Sequence, residues 1–293
     1  MKLKNKRNFE LIFLAFFIVV FIFLFLWKTS SMIISPPRFL GTITPGVYGL
    51  KYEEVEFMTD DAIPIKGWFI RNRSSKATII LLHGFAVDKS DLLDVALFLF
   101  KNDFSVLLFD FRAHGYSGGK YCSLGYFEKM DLRAAVNFLK EKGDENIGCL
   151  GFSMGGTVAL LEASINQHIL AIVSDSGYLS FKSAVRDFAK AYYHAPEYPF
   201  IPPAVWTAGK RLGINPNYVD LTLCVGKISP RPIFIIHGRD DKEIALINGL
   251  KTYEYAKEPK EIWIVEETGH LGAYAVYGKD YEKRIISFFK KNL

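Results

Sequence analysis

Cysteine is scarce in this sequence, and its three copies are irregularly spaced. Cys122, Cys149 and Cys224 form neither an even set nor a closely spaced pair of metal ligands. Disulfide-stapled domains carry dense, even sets of cysteine, and structural zinc sites need paired Cys or His ligands. The sequence therefore supports neither class. Cys149 falls in an apolar run, and we expect it to be a small core residue.

Excess charge is also small, and the sequence lacks the motifs that bind common cofactors. The net charge is +5 over 293 residues, and outside the first ten residues charges of both signs are interspersed. Nucleic-acid binding needs a concentrated basic face, so we expect no nucleic-acid partner. Neither a Walker A loop nor a His-Glu-x-x-His motif occurs. We therefore expect no nucleotide or other cofactor, and no metal.

Apolar residues, in contrast, are abundant. They make up 50% of the chain, and aromatic residues alone make up 15%. This composition excludes a disordered chain and indicates a large buried core. The length suits one large domain with a short appendage.

The longest apolar run lies near the amino terminus. Residues 9–27 (FELIFLAFFIVVFIFLFLW) carry one charge, Glu10. At about 1.5 Å per residue, this run spans roughly the hydrocarbon core of a bilayer. It is longer than the ~7–15 apolar residues of a cleaved signal peptide, and no small-residue cleavage site follows. The sequence therefore favours a retained transmembrane signal anchor within residues 1–28 over a cleaved signal peptide.

The charges that flank this run predict its orientation. Four Lys and Arg residues precede it, whereas only Lys28 and Arg38 follow before residue 50. The positive-inside rule then leaves the amino terminus in the cytoplasm and the remainder of this single-pass chain across the membrane. Residues 29–50 contain Pro, Gly and Ser and resemble a linker into a domain at 51–293.

Short apolar runs alternate with amphipathic segments throughout residues 51–293. Such alternation predicts an α/β fold, with a mostly parallel sheet covered by helices on both faces. The predicted strands are 52–58, 63–71, 77–84, 104–111, 146–152, 169–175, 231–238 and 261–267. The predicted helices lie near 90–101, 126–142, 153–164, 243–257 and 278–291.

One segment interrupts this alternation. Residues 178–229 separate two predicted strands and are rich in aromatic residues and proline, as in AKAYYHAPEYPFIPPAVW. A connection of this length inside a compact domain is often a functional lid. We expect a small helical lid here, and an ordinary helical insertion is the alternative.

The chemistry-bearing motif is Gly151-Phe152-Ser153-Met154-Gly155, between a predicted strand and a predicted helix. A sharp strand-to-helix turn holds a serine hydroxyl exposed, and the glycines permit the close backbone contacts of that turn. Ser153 is therefore the predicted nucleophile. The Met154 N–H at the helix amino terminus is one predicted oxyanion donor. The Phe85 N–H, in the His83-Gly84-Phe85 loop after an earlier strand, is the other.

A nucleophilic serine also needs a general base. His83, His114 and His237 each precede a glycine at or beyond a strand end, where an imidazole usually braces the turn. His270 instead lies between the last predicted strand and the last helix, at the sheet edge where the elbow serine lies. We predict His270 as the base.

The base in turn needs a carboxylate to hold one tautomer and to stabilise the imidazolium. Asp240 and Asp241 follow the preceding strand at the same edge, and both are candidates. Asp175, at the end of another strand, is a third candidate, although a cap or turn role suits it better.

The order Ser153, then aspartate, then His270 resembles the triad of the α/β-hydrolase superfamily. FDFRAHGYSGG at 109–119 resembles a segment of its serine aminopeptidase-like and BEM46-like branches, with Ala113 where glycine is usual. HGF at 83–85 looks like the oxyanion loop of feruloyl-esterase-like members. In such relatives the acid is commonly the last residue of His-Gly-x-x-Asp, which implies Asp241. The resemblance covers residues 50–293.

Together these features predict a membrane-anchored serine hydrolase of carboxylic esters or thioesters. The apolar anchor and aromatic insertion suggest a small-molecule or lipid-like acyl substrate. A serine aminopeptidase-like peptidase shares the framework and is one alternative. A catalytically inactive, membrane-anchored interaction protein is the other.

Overall fold

The computed structural model describes residues 2–293, with side chains from residue 9 onward. Met1 and the side chains of residues 2–8, which include the cations of the predicted cytoplasmic tail, lie outside the described part.

Eight strands form one sheet in the order β1-β2-β4-β3-β5-β6-β7-β8. They are Glu53–Met58 (β1), Pro64–Ile70 (β2), Thr78–Leu82 (β3), Ser105–Phe109 (β4), Ile147–Phe152 (β5), Ile169–Asp175 (β6), Ile233–Gly238 (β7) and Lys260–Val265 (β8). β1 pairs antiparallel with β2, and β2 pairs antiparallel with β4. All later neighbours are parallel. The carboxyl ends of β3 to β8 therefore meet at one edge, where ligands of such sheets bind.

Helices cover both faces of the sheet. The helices of the described residues are Lys2–Ile34 (α1), Leu93–Lys101 (α2), Glu128–Glu141 (α3), Met154–Ala163 (α4), Phe181–Tyr193 (α5), Glu197–Leu212 (α6), Ile247–Tyr255 (α7) and Gly272–Asn292 (α8). Successive residues of β3 alternate between two buried clusters, with Ile80 and Leu82 facing α3 and α4, and Ile79 and Leu81 facing α2 and α8. This alternation follows from the period of two in a strand. The predicted α/β architecture is confirmed.

The last helix begins earlier than the sequence pattern predicts. Residues 278–291 are the predicted segment, whereas α8 begins at Gly272. A kink at Gly278, where φ is +32°, divides the helix. Glycine is a weak helix former, so the sequence pattern alone does not predict a helix that continues across Gly278. Within the portion after Gly278, Tyr281, Ile285 and Phe289 are buried.

Helix α1 also differs from the predicted boundary between anchor and linker. It continues past residue 28 to Ile34, and its segment Phe9–Ile34 is long and apolar enough to cross a membrane. The side chains from Phe9 to Leu26 are almost all exposed, whereas Ser30 and Ile34 are completely buried. The Cys122 N–H donates to the Ile34 carbonyl at 2.8 Å. The end of α1 is thus packed into the domain.

Residues 178–229 form the predicted helical insertion. Helices α5 and α6 make up most of it, and three short 3-10 turns lead from α6 to β7. Ser180 begins α5 through a reciprocal capping arrangement with Ser183.

Candidate active site

Ser153 occupies the turn between β5 and α4. Its backbone has φ +51° and ψ −113°, a combination that a residue with a side chain rarely adopts. The Ser153 N–H donates to the Asp175 carbonyl at 2.8 Å, which ties the turn to the neighbouring strand β6. Strained conformations of this kind persist where surrounding structure imposes them, and they cluster at functional sites.

The glycines of the motif allow α4 to start against the sheet. A Cβ at Gly155 would lie 2.2 Å from the Leu82 carbonyl oxygen, and one at Gly151 would lie 2.3 Å from the Gly155 backbone. Both obstacles are main-chain atoms that cannot rotate away. The elbow around Ser153 therefore requires glycine at these positions.

His270 and Asp241 form a hydrogen-bonded pair. The His270 Nδ1 lies 2.7 Å from the Asp241 Oδ2. The other carboxylate oxygen of Asp241 accepts the N–H groups of Glu243 and Ile244, both at 2.9 Å. Burial alone would lower the pKa of His270, but its hydrogen bond to Asp241 and the charge of Asp241 raise that pKa above its usual value. The bond at Nδ1 leaves Nε2 free for a reacting group.

The other two candidate acids have different surroundings. Asp240 is exposed. Asp175 is buried and accepts the Tyr281 hydroxyl and the Ser176 hydroxyl, each at 2.9 Å. Burial raises the pKa of Asp175 to about 6, although these two hydrogen bonds act in the opposite direction. Of the three aspartates, Asp241 is therefore the one that His270 contacts.

Two neutral histidines brace the loop that contains Phe85. The His83 Nε2 accepts the Phe111 N–H at 3.0 Å, and its Nδ1 lies 2.7 Å from the Gly84 carbonyl oxygen. Burial lowers the pKa of His83 to about 3. The His114 Nε2 accepts the Ala86 N–H at 3.2 Å. The loop that contains Phe85 is thus held on both sides of the predicted oxyanion donor.

The segment 109–119 supports this arrangement from the turn after β4. The buried Asp110 carboxylate pairs with the Lys89 ammonium at 2.6 Å and accepts the Tyr116 N–H at 2.8 Å. Ala113 has φ +61°, a left-handed conformation that favours glycine. This conformation explains why glycine is usual at this position in the α/β-hydrolase branches that the segment resembles. The segment fixes His114, which in turn contacts the loop of Phe85.

Ser153 and His270 open onto the same cavity, which has a volume of about 970 Å³. Gly84 and Phe85 line it beside them. Most of the other lining side chains are apolar. The insertion supplies many of them, including Ala184, Val185, Phe188, Ala189, Phe200, Ile201 and Ala204. The predicted lid segment therefore lines one side of the cavity onto which Ser153 and His270 open.

A second wall was not predicted from the sequence. It consists of one face of the end of α1, namely Phe25, Lys28, Thr29, Met32 and Ile33. These residues recur at helical spacing, which was a detectable pattern, but nothing local indicates that this face meets a cavity.

Known proteins share this architecture. A family model described as the alpha/beta hydrolase fold matches residues 77–195. The uncharacterized protein YqkD of Bacillus subtilis is 31% identical over 228 residues, which cover 76% of this chain and 74% of YqkD. The chain belongs to the α/β-hydrolase family.

A solved esterase of Pyrococcus furiosus extends the similarity to structure. It superposes on this α/β hydrolase with a TM-score of 0.74 at 32% identity, covering 88% of this chain and 97% of the esterase. The thiohydrolase aneE of Aspergillus aculeatus is 33% identical over 129 residues, or 42% of this chain and 41% of aneE. The family and these relatives support a hydrolase.

Proposed function

We propose that this α/β hydrolase is a membrane-anchored serine hydrolase that cleaves carboxylic esters or thioesters. In this proposal Ser153 is the nucleophile, His270 the general base and Asp241 the residue that orients the base. The observation that carries the proposal is one shared cavity. It is lined by the strained Ser153 and by His270, which is hydrogen-bonded to Asp241 at 2.7 Å.

The reaction proceeds through an acyl-enzyme. The Ser153 Oγ attacks the substrate carbonyl while the His270 Nε2 takes the hydroxyl proton. The tetrahedral intermediate collapses, the carbonyl–heteroatom bond breaks, and His270 returns the proton to the leaving alcohol or thiol. Water, deprotonated by His270, then attacks the acyl-enzyme and releases the carboxylic acid and Ser153. Asp241 stabilises the imidazolium in both halves.

The oxyanion of both intermediates needs preorganised donors. Met154 is the first residue of α4, where main-chain N–H groups have no partner within the helix and the helix dipole is positive. Phe85 lines the cavity beside Ser153 on the braced loop. We assign the two donors to the Met154 and Phe85 N–H groups.

The relatives support both bond types. One solved relative is an esterase and another relative is a thiohydrolase. An oxygen ester and a thioester present the same acyl carbonyl to Ser153, so one site accommodates both. The cavity, rather than the leaving group, then selects among substrates.

Labelling by a fluorophosphonate probe tests the nucleophile. We expect the full chain in detergent to be labelled and the Ser153→Ala variant to be unlabelled and inactive on p-nitrophenyl acetate. Ser164→Ala, at the other end of α4, is the matched control and should be labelled like wild type. Labelling of folded Ser153→Ala would refute the assignment.

The membrane part of the proposal rests on α1. Its apolar segment Phe9–Ile34 meets the length and composition of a span, and cations precede it. We propose that the amino terminus is cytoplasmic and that the hydrolase domain lies on the opposite side. Protease added outside intact cells or spheroplasts should reach the domain but not an epitope fused before Lys2. The reverse pattern would invert the orientation.

A further inference from the structure

The end of α1 is held against the domain by several independent contacts. The Arg211 guanidinium, on α6, donates to the Trp27 carbonyl at 3.0 Å and to the hydroxyls of Ser30 and Ser31 at 2.8 and 2.7 Å. It also lies over the Trp27 ring, 4.0 Å from the centroid. These contacts fix both the position and the rotation of the last turns of α1.

The chain after α1 is also attached. The Arg38 guanidinium donates to the carbonyls of Gly115 and Gly119 at 2.9 and 3.0 Å, within the turn after β4. The Cys122 N–H donates to the Ile34 carbonyl. Because contacts lie on both sides of residue 34, the end of α1 is part of the folded domain and not a flexible tether.

This attachment turns one helical face toward the cavity of Ser153. Phe25, Thr29 and Met32 lie on that face at spacings of four and three residues. The Phe25 ring also contacts the Phe200 ring of α6, with centroids 5.8 Å apart. The cavity has a volume of about 970 Å³ and is lined mainly by apolar groups. It can therefore exclude water from a ligand with a long hydrocarbon portion.

We propose that α1 forms one wall of an acyl-chain cavity and that the substrates are esters or thioesters of medium to long straight acyl chains. This inference rests on the proposed function, because the acyl carbonyl must reach Ser153. The end of the helix assigned to the membrane anchor therefore also contributes to substrate selection. Phe25 belongs both to the apolar segment of α1 and to the cavity lining.

Chain-length kinetics on the full chain in lipid nanodiscs test the proposal. The readout is the ratio of kcat/KM for p-nitrophenyl decanoate to that for p-nitrophenyl acetate. Each buried methylene contributes roughly a fourfold gain, so burial of only two of the additional methylenes of decanoate already gives a wild-type ratio above about tenfold. Met32→Trp and Thr29→Phe each place added bulk in the cavity and should lower that ratio at least fivefold. Leu24→Trp, on the same helix outside the cavity lining, should leave the ratio within about twofold.

The outcomes separate the two proposals. Absence of acetate and decanoate hydrolysis by folded wild type would overturn the proposed function and this inference together. Acetate hydrolysis with a wild-type ratio below about tenfold would overturn only the acyl-chain cavity. Equal ratios in wild type, Met32→Trp and Thr29→Phe, or an equal loss in Leu24→Trp, would also overturn it. Fluorophosphonate labelling identifies the variants that fold. Because Met32→Trp and Thr29→Phe are tested separately, the proposal can still be tested if one of them does not fold.

Discussion

The hydrogen bond between His270 and Asp241 sets the protonation behaviour of the predicted general base. His270 gains a raised pKa from a carboxylate whose second oxygen is already held by two backbone N–H groups. An imidazole must be neutral to accept the Ser153 proton. Hydrolysis by the proposed mechanism therefore declines as the pH falls through the pKa of His270.

The Asp241→Asn variant tests this dependence. For wild type, the acidic limb of the plot of kcat/KM against pH should lie above about pH 6.5, the ordinary value for histidine. Asp241→Asn removes the charge and favours the wrong tautomer, so kcat should fall by roughly 10⁴-fold and the remaining limb should move to lower pH. Asp240→Asn, at the exposed neighbour, is the matched control. An acidic limb that does not move in Asp241→Asn would contradict the pairing.

The connection between β5 and α4 is the element that exposes Ser153. Its main chain runs so close to β3 that a Cβ at Gly155 would lie 2.2 Å from the Leu82 carbonyl oxygen. Ser153 itself adopts a positive φ. The strain at Ser153 is maintained by contacts of the two elements it joins, including α4, which is buried along its whole length. Geometry at the nucleophile thus depends on the close packing of this connection against the sheet.

Adding one methyl group to this element should destabilise the fold. Gly155→Ala places a Cβ against main-chain atoms, and we expect the free energy of unfolding to fall by about 2–3 kcal/mol. Gly269→Ala is the matched control, because a Cβ there meets nothing within 4 Å, and its effect should stay within about 0.5 kcal/mol. Urea unfolding followed by fluorescence measures both. Equal stability of Gly155→Ala and wild type would refute the close approach.

At the scale of the whole molecule, α1 has two different environments. Its amino-terminal portion exposes large apolar side chains such as Phe13 and Leu24, more than half exposed, whereas Ile34 is fully buried in the domain. Exposed apolar surface of this extent marks a membrane or protein interface. One helix therefore joins an apolar segment outside the domain directly to the wall of the cavity.

Removing only the part of α1 before Phe25 should separate these roles. A chain that lacks residues 2–24 retains the face from Phe25 to Ile33 and the contacts to Arg211. We expect the full chain to sediment with membranes and the shortened chain to remain in the supernatant after ultracentrifugation, with decanoate hydrolysis retained. A chain lacking residues 2–34 is the comparison and should lose decanoate hydrolysis. Full-length protein that is soluble without detergent would contradict the anchor.

Local patterns in the sequence were sufficient to predict the sheet, its covering helices and the elbow. A buried strand, a glycine-flanked serine and an apolar helix occupy adjacent positions around Ser153, so their meaning does not depend on distant contacts. The same holds for the apolar run of α1, whose length and composition alone indicate a candidate membrane span. The catalytic roles of Ser153, Asp241, His270, Phe85 and Met154 stay predictions that the experiments above test.

Contacts between distant residues were decided only by the tertiary structure. Asp240 and Asp241 are adjacent in sequence, and only the path of the loop after β7 brings one of them within 2.7 Å of His270. The end of α1 meets Arg211 across more than half the chain. Helical periodicity specifies that a helix has an apolar face but carries no information on what that face packs against. The cavity wall at Phe25 and Met32 could therefore be recognised only in the folded molecule.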